Sequence, residues 1–211
     1  MNTLIKICGI TNLEDALAAV DAGCEMLGFN FYAQSPRYIE PHAARAIVDE
    51  LPERILAVGV FVNESIETLR EIVAISGVKM AQLHGDETPE YCDTLKNDGL
   101  TVMKVFHTGA DFSLDRILEY DVPFVMLDAG GEQLRGGTGK LSNWAQAAQA
   151  KLVGPVCFLA GGLSAANVGS AITEVDPFGV DACSCLELAP GKKDIAKVRD
   201  FIAAVREVSP L

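Results

Sequence analysis

The sequence predicts an α/β protein, a single (β/α)8 TIM barrel over residues 1–211. Three observations predict it. Short apolar runs rich in β-branched residues alternate with longer stretches of helical periodicity, in one pass along the chain. The apolar runs read as buried on both faces, as strands of a parallel sheet covered by helices do. The alternation repeats about eight times, the number that closes a barrel. At about 26 residues per unit the chain is short for that architecture, and an open doubly wound sheet is the second architecture compatible with the pattern.

The expected strands are Leu4–Cys8, 26–31, 55–62, 79–83, 101–106, Phe124–Asp128, 156–160 and Gly179–Ala182. The first helix opens after Asn12, an N-cap residue ahead of Leu13-Glu14-Asp15-Ala16. Further helices are expected over 41–51, 65–76, 88–98, 111–120, 143–151, 164–171 and 194–208. Pro41 and Pro89 suit first-turn positions, where a missing N–H costs nothing. Ser65 and Ser164 look like helix starts. No linker, low-complexity tract or charge block marks a domain boundary.

Hydrophobic residues make up 49% of the chain and charged residues 22%, as in ordinary globular proteins. The net charge of -12 argues against a nucleic-acid partner, because binding a phosphate backbone needs a Lys and Arg surplus. The six cysteines, Cys8, Cys24, Cys92, Cys157, Cys183 and Cys185, contain no C-x2-C pair. They read as reduced thiols, mostly small core residues, and not as a disulfide scaffold or zinc site. Lys6 interrupts the apolar N-terminal stretch, so no secretory signal is expected. No apolar run is long enough to span a bilayer. The expected location is the cytoplasm, with no membrane partner.

In a barrel, chemistry sits where strands end at their C-terminal side. Cys8 closes the first strand and Asp128 the sixth. Arg37 follows the second in Gln34-Ser35-Pro36-Arg37-Tyr38, and His84 follows the fourth in Gln82-Leu83-His84-Gly85. The seventh leads into Gly161-Gly162 and the eighth ends in Asp181-Ala182-Cys183-Ser184-Cys185. Paired glycines let backbone N–H groups approach an anion, and a helix expected from Ser164 would add positive charge. The loops after strands seven and eight of such barrels commonly hold a phosphate. Residues 136–140, Gly-Gly-Thr-Gly-Lys, do not form a P-loop, because Leu134 and Leu141 stand where that motif needs Gly and Ser or Thr. The surrounding 129–142 reads as a lid over a substrate, or as a plain loop.

A thiolate and a carboxylic acid on one rim can serve as base and acid on one substrate. Cys8 must then titrate below about 8.5 and Asp128 above about 3.9. The helix after Asn12 is one source of help for the thiolate, and desolvation is one for the acid. A buried structural Cys8 and a loop-capping Asp128 are the alternative interpretations. Arg37 can bind a carboxylate in two contacts or sit solvated on the surface. His84 can bond a substrate or a loop.

Several motifs together resemble one family. Lys6-Ile7-Cys8-Gly9-Ile10-Thr11 is similar to the opening signature of phosphoribosylanthranilate isomerases. So are Ser35-Pro36-Arg37-Tyr38-Ile39, Val58-Gly59-Val60-Phe61-Val62-Asn63 and Gln82-Leu83-His84-Gly85-Asp86-Glu87. Gly136-Gly137-Thr138-Gly139-Lys140, Leu159-Ala160-Gly161-Gly162-Leu163 and Pro190-Gly191-Lys192-Lys193-Asp194 follow in the family's order. The resemblance implies ring opening of N-(5-phosphoribosyl)anthranilate and its Amadori rearrangement to 1-(2-carboxyphenylamino)-1-deoxyribulose 5-phosphate, in tryptophan biosynthesis. It implies Asp128 as general acid and Cys8 as general base. It implies Arg37 on the anthranilate carboxylate, and His84 and Asp181 lining the pocket. The phosphate would rest on the backbone of Gly161, Gly162, Cys183 and Ser184. No cofactor and no metal are implied, and the family includes monomers and homodimers.

Two departures stand out. After strand eight the family usually has Asp-Val-Ser-Ser-Gly-Val-Glu, where this chain has Asp181-Ala182-Cys183-Ser184-Cys185-Leu186-Glu187. A left-handed backbone at Cys185 would cost about 1–2 kcal/mol. The family also favours Phe-Asp-Trp where this chain has Ser142-Asn143-Trp144. Two other functions remain open from sequence. One is the related histidine-pathway isomerase, whose pair of catalytic Asp residues is not matched at Cys8. The other is a phosphometabolite-binding or redox protein using Cys183 and Cys185, although one intervening residue disfavours an unstrained bridge.

Overall fold

The computed structural model describes residues 2–128 and 143–209. Eight parallel strands form a closed barrel in chain order: β1 (Leu4–Cys8), β2 (Met26–Asn30), β3 (Leu56–Phe61), β4 (Met80–Leu83), β5 (Thr101–His107), β6 (Phe124–Asp128), β7 (Val156–Leu159) and β8 (Gly179–Ala182). The seam is closed by β8 against β1, with Lys6 opposite Asp181 and Ile7 opposite Ala182. The helices that follow the strands are α1 (Leu13–Ala22), α2 (Pro41–Val48), α3 (Ile66–Ser76), α4 (Pro89–Asn97), α5 (Leu114–Leu118), α6 (Trp144–Ala150), α7 (Val168–Val175) and α8 (Ile195–Val208). The second architecture, an open sheet, is therefore not the one adopted.

Alternation along each strand divides the core in two. One set of side chains, including Ile5, Ile7, Leu27, Phe29 and Val180, packs outward under the helices. The other fills the barrel: Met26, Val58, Met80, Met103, Met126 and Phe158 meet at its centre. Flexible, unbranched methionines suit that tapering interior. The same parity carries upward to the rim. Lys6 and Cys8 follow Leu4, His107 follows Met103 and Val105, and Asp128 follows Phe124 and Met126.

Helix starts follow local chemistry. Side chains of Asn12, Ser65, Thr88, Asn143 and Asp194 accept N–H bonds from the first turns of α1, α3, α4, α6 and α8. Each such cap is worth about 1 kcal/mol.

Three elements differ from expectation. Helix α7 begins at Val168, not Ser164, because Asn167 claims the intervening residues. Its side chain accepts from Ser164 N–H at 2.9 Å and donates to Gly162 O at 3.0 Å, a local closure that competes with helix. Helix α5 is only five residues long. A small antiparallel hairpin, β9 (Glu187–Ala189) with β10 (Lys192–Lys193), follows β8 and was not expected. No helix among the described residues is long and apolar enough to cross a membrane.

Candidate active site

Cys8 ends β1 with Lys6 below it on the same face. Lys6 is fully buried, and its Nζ donates to Asp181 Oδ1 across the seam at 2.8 Å. A hydrogen bond from the Cys183 thiol is the largest influence on Cys8. Burial opposes it, and the ammonium groups of Lys6 and Lys193 reinforce it, holding the Cys8 thiol well below the usual cysteine range. Cys183 is correspondingly pushed up, so it keeps its proton. Three other thiols show the contrast: burial pushes Cys24 and Cys157 up to about 12 and Cys92 up to about 11. The sequence points to the helix after Asn12 for help with the thiolate; the groups acting on it are Cys183, Lys6 and Lys193.

Gly9 turns the chain away from the rim with φ 77°. A Cβ there would stand 2.8 Å from Arg37 Cδ and 2.9 Å from Cys183 Sγ, so the crowded rim needs glycine at that place. Arg37 is not a loose surface side chain. Its Nε lies 2.9 Å from Glu187 Oε1 and its Nη2 lies 2.8 Å from Oε2, a two-contact pair. Lys193 Nζ donates to the same carboxylate at 3.1 Å. Burial would push Glu187 up, but Arg37 and Lys193 outweigh it and hold its carboxyl below the usual range. The hairpin thus fixes the guanidinium in place.

Across the rim, His84 Nε2 lies 3.3 Å from Asp128 Oδ2. His107 is the register partner of Asp128, and its ring centroid is 5.4 Å from that of His84. Asp181 stands between the two sides. Burial, partly offset by Lys6, pushes its carboxyl up to about 6, and the charges of Cys8 and Asp128 both add to the rise. Asp181 therefore feels the charges of both groups.

Beside Asp181 the rim forms a small cleft of about 30 Å³ lined by Asp128, Gly161, Gly162, Asp181, Cys183 and Ser184. Gly161 and Gly162 adopt φ 89° and 64°. Among the described residues, the N–H groups of Gly161, Gly162 and Ser184 donate to no protein acceptor. They are backbone donors without partners beside a cleft, which is the chemistry of an anion cup. The charge expected from a helix at Ser164 is not there, since α7 starts at Val168; a short 3-10 helix over Ser184–Leu186 stands on the other side. Among the described residues only Asn63 and Asp176 are non-glycine with positive φ, so Cys185 carries no left-handed strain. The lid expected over 129–142, including Gly136–Lys140 in the resemblance, lies outside the described residues.

The structure thus brings together Cys8, Arg37, His84, Asp128, Gly161, Gly162, Asp181, Cys183 and Ser184 at one end of the barrel. The free thiol of Cys183 faces Cys8 and not Cys185, which removes the support for a Cys183–Cys185 pair. Lys6, His107, Glu187 and Lys193 are the residues that sequence reasoning missed. Lys6 could have been found from the 4-6-8 alternation that it shares with Cys8. His107 lies one residue beyond the expected end of strand five.

A family model described as N-(5'phosphoribosyl)anthranilate (PRA) isomerase matches residues 5–204. The N-(5'-phosphoribosyl)anthranilate isomerase of Trichlorobacter lovleyi is 46% identical over 203 residues, covering 96% of this chain and 98% of its own length. The crystal structure of phosphoribosyl anthranilate isomerase from Thermotoga maritima is similar at a TM-score of 0.90 and 38% identity, covering 97% of this chain and 99% of that one. A phosphoribosyl anthranilate isomerase solved in complex with reduced 1-(o-carboxyphenylamino)-1-deoxyribulose 5-phosphate is similar at a TM-score of 0.87 and 37% identity, with the same coverage. Motif order, barrel and whole-length likeness agree: the chain belongs to the N-(5'-phosphoribosyl)anthranilate isomerase family.

Proposed function

We propose that this chain converts N-(5-phosphoribosyl)anthranilate into 1-(2-carboxyphenylamino)-1-deoxyribulose 5-phosphate, the isomerisation of its family in tryptophan biosynthesis. The observation that carries the assignment of roles is Cys8 in a pocket that favours thiolate, with Asp181 within electrostatic reach of both Cys8 and Asp128.

The phosphate rests on the bare N–H groups of Gly161, Gly162 and Ser184, with the backbone at Cys183 completing the cup. This grip needs no cationic side chain, which suits an acidic protein. Arg37, with its Nε–Nη2 edge held by Glu187, offers its remaining Nη1 to the anthranilate carboxylate. With both ends of the substrate held, the ribose lies between the two sides of the rim.

Asp128 protonates the ring oxygen as the C1′–O bond breaks and the anilino nitrogen supplies its lone pair, giving an open iminium. The Cys8 thiolate then takes the proton from C2′, and the electrons of that bond neutralise the iminium as an enolamine. A proton then adds at C1′ while the 2′-hydroxyl gives up its own, so the enolamine becomes the ketone and the proton count of the isomerisation closes. Each transfer by a positioned acid or base is worth about 10²–10⁴-fold in rate. Lys6 and Cys183 keep the base ionised, and Asp181 and His84 line the space. All groups named here come from one chain, so one barrel is the catalytic unit. We place its action in the cytoplasm, as a monomer or homodimer.

The test is turnover by the purified wild-type protein, followed as loss of the fluorescence of phosphoribosylanthranilate. The same protein is offered the aminosugar phosphate of the histidine pathway. Turnover of the anthranilate substrate alone is expected; turnover of only the histidine intermediate would overturn the assignment.

A further inference from the structure

One cluster at the rim exceeds what the isomerisation needs. His84, His107 and Asp128, at the ends of β4, β5 and β6, each present one ligand atom, and these atoms all lie within 4.8 Å of one another. His84 and Asp128 are buried. Their nearest atoms, Nε2 and Oδ2, are 3.3 Å apart. Three ligand atoms each about 2.1 Å from a tetrahedral zinc ion stand about 3.4 Å apart. The His84–Asp128 edge already has that length, and His107 need close by no more than about 1.4 Å, a side-chain rotation.

The neighbour of His84 prepares it for such a role. Gln82 Nε2 lies 3.5 Å from His84 Nδ1, while Gln82 Oε1 is buried with no hydrogen-bond partner. Amide oxygen and nitrogen are the same size, so turning the group by half a rotation costs nothing in packing. Oε1 then accepts from Nδ1–H, and the orphaned oxygen is satisfied. His84 Nε2, which makes no aligned hydrogen bond in its buried place, is left with its lone pair toward Asp128. An imidazole whose N–H is anchored on a carbonyl and whose other nitrogen is bare is the form that ligates metals.

Two imidazoles and a carboxylate suit zinc and its borderline neighbours, and three protein ligands leave one position open. Magnesium and calcium prefer all-oxygen sets. We propose that His84, His107 and Asp128 bind one divalent transition-metal ion, zinc(II) being the fitting one, and that the bound ion blocks isomerisation. Binding exchanges any proton on Asp128 for the ion and leaves the ring oxygen without its acid. The blocking half rests on the role of Asp128 proposed above; the binding half does not.

The sulfur atoms of Cys8 and Cys183 are the competing donors on this rim, being softer ligands for zinc. Cobalt(II) alone is therefore the probe, because thiolate ligation adds a near-ultraviolet charge-transfer band that nitrogen and oxygen ligands lack. Metal-free wild type, His107→Gln, Gln82→Leu and Cys183→Ser proteins are titrated, with circular dichroism confirming each fold. Zinc(II) is then added both to displace the cobalt and to the fluorescence assay, each rate being divided by that variant's own metal-free rate. One cobalt ion per chain is expected, with visible d–d bands, no sulfur band and displacement by zinc. Affinity should fall about tenfold or more in His107→Gln and in Gln82→Leu and stay unchanged in Cys183→Ser. Zinc should halt wild-type turnover, with recovery on adding a chelator. A sulfur band, no binding at millimolar cobalt, or binding indifferent to His107→Gln would overturn the site. Binding as described with undiminished turnover would overturn the blocking half, and with it the assignment of Asp128 as the acid.

Discussion

Cys8 differs from the other buried thiols by its company. Cys24, Cys92 and Cys157 sit in apolar surroundings that favour the neutral form, whereas Cys8 has a donor thiol and two ammonium groups around it. A hydrogen bond to the charged form lowers a pKa, so loss of the Cys183 donor should raise that of Cys8 toward the ordinary 9.0. The base works as thiolate, so kcat/KM climbs as pH rises through the Cys8 pKa. Cys183→Ala should therefore move this acid limb to higher pH. Its deficit should be largest on the acid side and shrink as pH rises toward the ordinary 9.0, and Cys183→Ser, which keeps a donor, should restore most of it. A pH profile of kcat/KM for the three proteins checks this; a uniform deficit at every pH would make Cys183 merely structural. Cys8 and Asp128 are legible in the sequence because both close strands. Lys6 is not, because a lysine inside an apolar run reads as an interruption, and only the closed seam reveals the Asp181 that neutralises it. His107 escapes because strand five runs one residue longer than its apolar pattern suggests.

At the scale of elements, caps and first-turn prolines are well written in the chain, since a cap is a local hydrogen bond decided within three residues. The starts of α1, α3, α4, α6 and α8 follow from them. Helix α7 is misplaced from sequence because Asn167 can bond both ways, to Ser164 N–H and to Gly162 O, and a serine alone does not reveal which residue wins. The β9–β10 hairpin escapes altogether, because strands of three and two residues carry no readable period. Yet this hairpin supplies Glu187 and Lys193, the pair that fixes Arg37. Glu187→Gln leaves the buried Lys193 and the half-buried Arg37 facing a neutral amide. It should raise KM more than it lowers kcat, because Arg37 binds a remote end of the substrate, and it should cost about 3 kcal/mol in urea unfolding. Unchanged KM with reduced kcat would move Arg37 from binding to chemistry.

The barrel as a whole is legible because eight alternations of strand and helix admit few other closures. Closure itself is not written locally; it depends on β8 finding β1, residues about 175 apart in the chain, where Lys6 and Asp181 form a buried ion pair. Removing one partner of such a pair costs about 3–5 kcal/mol, because the other charge is left buried alone. Lys6→Met should lower the urea midpoint accordingly, and Lys6→Met with Asp181→Leu together should recover much of the loss. No recovery in the double variant would mean that the seam needs these charges for more than neutrality. The same closure sets Asp181, which feels the charges of both Cys8 and Asp128, on the seam, and the proposed acid and base roles depend on that placement. The most direct measurement is turnover of phosphoribosylanthranilate by Cys8→Ala and Asp128→Asn beside wild type, with melting temperature and circular dichroism recorded on the same samples. Each variant should lose about 10²–10⁴-fold in kcat while remaining folded. Near wild-type turnover in both folded variants would contradict the acid–base pair.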